Sequence, residues 1–230
     1  MFISRPRRFG KTLLVSTFES LFRNGIRDFK GLAIETLWTD KTYKVVRLDF
    51  SEIKDYSSEA DFLSKFYDQL LRKFRQAGFD YEEKNGLFMG QVSAWLSSLP
   101  PSSLVILIDE YDAPLTASLD DLELFDRIRS AMSAFFQVLK SNEGCLRFFF
   151  MTGITKYRQT SIFSEFNFFD DISLNRAYGT LIGYTEEEIK NYFSYYLNEA
   201  KLQLELDEDE IVDQLRKNYD GFSFDQEAAT

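Results

Sequence analysis

At 230 residues, with 24 Phe and aromatics at 17%, the chain has the length and apolar content for one large α/β domain, or one domain plus a small appendage. Its formal charge of −10 and pI near 4.7 argue against a broad nucleic-acid-binding face. There is no histidine, which excludes His-dependent triads, Cys–His dyads and zinc-hydrolase sites, and the single Cys145 cannot close an intrachain disulfide.

The first informative stretch is MFISRPRRFGKT. A short apolar run, Met1 to Ile3, leads into a loop ending Gly10-Lys11-Thr12, and an amphipathic helix pattern follows through Leu13, Leu14, Phe18, Leu21 and Phe22 to Gly25. Strand, loop, GK[ST] and helix, in that order, are what a phosphate-binding loop requires. Loop N–H groups would face the phosphates, Lys11 would neutralise β- and γ-oxygens, and Thr12 would offer its hydroxyl to Mg²⁺. The full Walker pattern has a further glycine where this chain has Arg5. Pro6, with φ fixed at about −65°, biases Arg5 towards an extended backbone, so proline would shape the loop in glycine's place. Arg5, Arg7 and Arg8 add positive charge where phosphates would lie.

Positions 26–43 show no single period. Val45 to Phe50 reads as a strand, and Asp49 near its end either reaches a site there or makes a structural hydrogen bond. From Glu59 to Ala77 an apolar stripe of Phe62, Leu63, Phe66, Leu70, Leu71 and Phe74 predicts a packed helix closed by Gly78. A second helix, Leu87 to Ser98, stops at Pro100-Pro101. The run Leu104-Val105-Ile106-Leu107-Ile108 then describes a strand buried on both faces. It ends in Asp109-Glu110, two carboxylates that are costly there unless something binds them. This is the Walker B position, where Asp109 would hold Mg²⁺ and Glu110 would polarise the attacking water. A solvated strand end is the plainer reading. Asp112 is a turn or helix cap before Pro114, or a ligand.

A long helix is expected from Leu122 to Lys140, and another buried strand from Leu146 to Met151 ending in Thr152-Gly153. Thr152 is either a γ-phosphate sensor or a plain strand-end threonine. Lys156 and Arg158 are either charge-stabilising groups or solvated cations. Tyr157 to Asp171 has aromatic anchors without a period, and Ala177 to Gly183 is expected to supply a fifth strand. Thr185-Glu186-Glu187-Glu188 opens a helix with a capping box, and a further helix spans Asp207 to Asn218. No run approaches a transmembrane length and Met1 opens a strand rather than a signal peptide, so a soluble, cytoplasmic protein is expected.

Four strings agree in order: RPRRFGKT, VILIDEYDAPL, FFFMTGITK with IFSEFNFFDDISL, and LIGYTEEEI with NYDGFSF. Together they resemble the AAA-ATPase-like family of bacterial proteins, P-loop NTPases related to the AAA+ and STAND ATPases, over nearly the whole chain. The resemblance implies an α/β three-layer P-loop NTPase fold with a parallel sheet of order 5-1-4-3-2. It implies ATP and Mg²⁺ as cofactors, and arginine at Arg5 as a property of the group. In the family a PD-(D/E)XK-type nuclease domain commonly follows, which here would begin beyond Thr230, so the chain is either a short version or part of a longer protein.

On this reading residues 1–183 form the ATPase-like domain, and 184–230 a helical lid or the start of a following domain. Glu110 and Lys11 are the candidate catalytic residues. Arg8, Phe9, Gly10, Lys11, Thr12 and Thr152 are the candidate nucleotide contacts, and Thr12 and Asp109 the candidate metal ligands. The expected partners are a nucleotide and a nuclease domain or partner protein, with no direct nucleic-acid or membrane binding; an oligomer is compatible. A nucleotide-sensing or non-hydrolysing interaction module is the alternative function.

Overall fold

The aliphatic run Leu104–Asp109 forms the strand β3, with all six residues buried, in a computed structural model of the chain that describes residues 1–155 and 170–219. Burial on both faces is why β3 has no alternation of apolar and polar residues. Around it lie β1 (Phe2–Ser4), β2 (Lys44–Asp49) and β4 (Leu146–Gly153), all parallel, in the order β1-β4-β3-β2. Among the described residues the helices of this unit are α1 (Lys11–Asn24), α2 (Ile34–Leu37), α3 (Glu59–Gln76), α4 (Phe88–Ser98), α5 (Ala113–Ala117) and α6 (Leu122–Ser141). It closes at Asp171, and a second compact unit begins at Ile172.

Side-chain alternation along β4 shows how the layers divide. Phe148 and Phe150 meet Phe18 of α1 edge-on at 5.3 and 4.9 Å, so α1 covers that face. Phe149 and Met151 point the other way, into a core shared with Ile106 and Ile108 and closed by α3, α4 and α6. There Phe66 and Phe74 of α3 meet Phe135 of α6 at 5.6 and 6.4 Å. All three rings are fully buried, and burial of each contributes roughly 1.5–3 kcal/mol. On the β2 edge, Arg23 donates to the Val45 carbonyl (2.9 Å) and Gln69 to that of Asp49 (2.7 Å), covering strand groups with side chains.

The expected fifth strand is absent: Ala177 to Gly183 carries a 3-10 turn, Arg176–Tyr178, and then bends. Asn175 caps that turn through the Ala177 N–H (3.0 Å), and Gly179 and Gly183 interrupt the segment after it. The order is therefore 1-4-3-2 rather than 5-1-4-3-2 among the described residues. On the outer side of β1 Phe2 forms a bridge with Asp171, where the Phe2 N–H donates to the Asp170 carbonyl at 2.8 Å.

In the second unit the capping box forms as expected. The Thr185 hydroxyl accepts from the Glu188 N–H (3.2 Å), and the Glu188 carboxylate accepts from the Thr185 N–H (2.8 Å). The helix Glu186–Tyr192 breaks at Phe193, whose ring packs edge-on to Tyr184, and the chain continues as helices Ser194–Leu204 and Glu208–Tyr219. Among the described residues no helix is long and apolar enough to cross a membrane.

Candidate functional site

β1 ends at Ser4, and the loop leaves beside the end of β4, with the Arg5 N–H donating to the Gly153 carbonyl at 3.2 Å. Arg5 is buried, and its guanidinium donates to the Ser4 carbonyl (3.0 Å). Arg7 and Arg8 are exposed and Phe9 is half-buried. The loop turns on left-handed backbone at Arg8 (φ 68°) and Gly10 (φ 91°), so its shape does not come from Pro6 alone. At Gly10 a side chain would find open space but strained backbone, which is why the residue that caps the start of α1 is glycine.

Lys11 opens α1 and folds back over the loop. It is only 6% exposed, and its Nζ donates to the carbonyls of Arg5 (3.0 Å) and Pro6 (2.8 Å). Burial lowers its pKa, opposed by the negative charges of Glu110, Asp112 and Asp109. The loop cation and the carboxylates after β3 thus share one field, although they are far apart in the chain. Thr12 is exposed on the first turn.

Asp109 is 1% exposed. Its Oδ1 accepts from the Thr152 hydroxyl (2.8 Å) and from the Glu110 N–H (3.1 Å), whereas Oδ2 is buried with no hydrogen-bond partner. A buried carboxylate oxygen left this way is costly, and a cation is the group that would satisfy it. Among the described residues no three acidic or thiol side chains cluster to hold a metal by themselves. The unpartnered Asp109 Oδ2 therefore has the chemistry of a cation ligand and fits Mg²⁺.

Glu110 follows on left-handed backbone (φ 48°), a conformation that concentrates at functional sites. Its pKa is raised by burial first, then by Asp109 and Asp49, while Lys11 lowers it. Asp49 caps the turn after β2 by accepting from the Ser51 N–H (3.0 Å) and hydroxyl (2.6 Å), so its reach to the site is through charge.

Asp112 has partners the sequence did not announce. Its buried carboxylate accepts from the Ile154 N–H (3.0 Å) and the Thr155 N–H (2.7 Å), and burial raises its pKa. Beside it the Tyr111 N–H donates to the Thr152 carbonyl (3.0 Å) and the Tyr111 hydroxyl to the Thr155 carbonyl (2.8 Å). The approach is close enough to require glycine: a Cβ on Gly153 would lie 2.6 Å from both Asp112 Oδ1 and the Tyr111 ring. Gly153→Ala is accordingly expected to cost about 2 kcal/mol of stability, since the buried ring has no room to retreat. A chemical denaturation midpoint equal to wild type would contradict that packing.

The structure brings together Lys11, Asp109, Glu110, Asp112 and Thr152; Lys156, Arg158 and the aromatic stretch Phe163 to Phe169 lie outside the described residues. A separate cleft of about 180 Å³ on the β2 side is lined by Glu19, Arg47, Asp49 and Lys73 among others, and by none of the loop residues. Its charges are largely spent on one another, as in the Arg47–Glu19 pair at 3.1 Å.

A family model described as "Predicted AAA-ATPase" matches residues 1–163, the segment that holds the loop, all four strands and the Asp109–Thr152 pair. A protein of Azotobacter chroococcum mcd 1, described as "Uncharacterized protein in vnfD 5'region", is 31% identical over 231 residues, covering 99% of this chain. The chain spans 42% of that relative's length. No solved structure matches the chain. With a loop, a strand-end acid pair and a matched segment that coincide, the chain belongs to the AAA-ATPase-like family.

Proposed function

We propose that the chain binds ATP with Mg²⁺ at the Arg8–Thr12 loop and hydrolyses it. The observation that carries this reading is the unpartnered Asp109 Oδ2, buried at the same place where Lys11 and Glu110 converge. Backbone N–H groups of the loop and the first turn of α1 would receive the β- and γ-phosphates, and Lys11 would exchange the Arg5 and Pro6 carbonyls for phosphate oxygens. Asp109 and Thr12 would hold the metal, which supplies charge neutralisation on the phosphate oxygens when bound. Glu110 would orient a water and take its proton as the water oxygen bonds to the γ-phosphorus. The bond from that phosphorus to the β–γ bridging oxygen breaks, and ADP carries the bridging oxygen away. Thr152 would sense the γ-phosphate through its bond to Asp109.

In longer members of the family the cycle would regulate the rest of the protein, such as a following nuclease domain. The relative's greater length is consistent with such an arrangement. A second reading, a nucleotide-sensing or non-hydrolysing interaction module, draws on Lys11, whose ammonium is already satisfied by its own loop. Phosphate release separates the two. The ATPase reading expects steady release from ATP in Mg²⁺ that falls to background in EDTA. Release absent in both, with ATP still bound, would favour the module.

A further inference from the structure

We infer that Tyr111 and Asp112 are positioning residues for the metal ligand Asp109, acting through the end of β4. The inference rests on the ATPase reading above and concerns how its metal site is held in shape.

Among the described residues Asp109 has one side-chain partner, the Thr152 hydroxyl, on Oδ1. A carboxylate so held on one oxygen presents the other in a defined direction, and here that oxygen is the unpartnered Oδ2. The position of Thr152 therefore sets the ligand. On the β1 side Thr152 and Gly153 are in register with Ile3 and Ser4. On the β3 side the ladder ends at Ile108 with Met151, one residue short of Thr152. Beyond that point Tyr111 and Asp112 take over. They bond to the Thr152 carbonyl, the Ile154 N–H, and both the N–H and the carbonyl of Thr155. Gly153, inside this bracket, lacks the side chain that would push it open.

The bracket and the ligand are on the same short piece of chain, Asp109 to Asp112, so the strand end is clamped by the motif that Thr152 must meet. Burying the Asp112 carboxylate is expensive, and a plain turn cap before Pro114 would not need it to reach Ile154 and Thr155. A bracket that fixes Thr152 against Asp109 does.

The test uses the full chain and Tyr111→Phe, Asp112→Asn and Thr152→Val, the last breaking the bond to Asp109 directly. Thermal stabilisation by a fixed ATP concentration is followed as Mg²⁺ is titrated, and again in EDTA. Loss of one hydrogen bond in the bracket is expected to raise the half-saturating Mg²⁺ concentration about 5-fold in Tyr111→Phe and Asp112→Asn, in the same direction as Thr152→Val. In Tyr111→Phe and Asp112→Asn the EDTA response to ATP should stay within about two-fold of wild type, which a general loss of structure would not produce. Tyr111→Phe removes a single oxygen, and it decides the matter if Asp112→Asn does not fold. A Mg²⁺ midpoint unchanged in folded Tyr111→Phe, with wild type responding, would overturn the inference and leave the ATPase reading standing. No Mg²⁺-dependent response in wild type would overturn both.

Discussion

Glu110→Gln is expected to bind Mg-ATP about as tightly as wild type and to release phosphate roughly 10²–10⁴-fold more slowly, the range a positioned general base supplies. The amide keeps the size and hydrogen-bonding reach of the carboxylate but cannot accept the proton of an attacking water. Burial, Asp109 and Asp49 all push the Glu110 pKa up, and Lys11 restrains it, so the side chain is a stronger base than an exposed glutamate. Binding should survive because the phosphate contacts come from Lys11 and the loop backbone. The check is a pair of assays on one preparation: steady-state phosphate release, and retention of ATP after gel filtration. Turnover within about two-fold of wild type would remove Glu110 from the chemistry.

Lys11→Ala should weaken Mg-ATP by about 100-fold or more, because hydrogen bonds from a charged donor contribute roughly 1.5–3 kcal/mol each and Lys11 is placed to make two. Its removal also leaves Asp109, Glu110 and Asp112 without the cation that offsets their mutual repulsion. Competition against a fluorescent ATP analogue measures the loss. Since the partners of Lys11 Nζ among the described residues are carbonyls of its own loop, the variant should fold, and circular dichroism will show it. Equal affinity in the variant would mean that the phosphates do not lie on this loop.

What could be read from the sequence was whatever is local in the chain. The run Leu104 to Ile108 announces a central strand because burial on both faces removes alternation, and Thr185 with Glu188 announces a helix start because a capping box closes within one turn. The GKT loop and the Asp109-Glu110 strand end were legible for the same reason: each is a contiguous string whose chemistry depends on its own order. Asp112 was not legible, since its partners Ile154 and Thr155 lie just past the end of β4 and no spacing rule connects them. The burial of Lys11 against Arg5 and Pro6 was equally hidden, being a side-chain choice made by loop shape. The misread fifth strand fails on composition: Gly179 and Gly183 break the apolar stretch, and the Asn175-capped turn outcompetes extended backbone. At the short α5 the sequence offered only Asp112 as a turn or helix cap before Pro114, or a ligand, because five residues give no period.

The account turns on whether a nucleotide sits where Lys11 and the unpartnered Asp109 oxygen meet, and isothermal titration of Mg-ATP into the wild-type chain tests that most directly. One site per chain of roughly micromolar affinity, weakened when EDTA replaces Mg²⁺, is the predicted result. Absence of saturable heat up to roughly 1 mM Mg-ATP would contradict it.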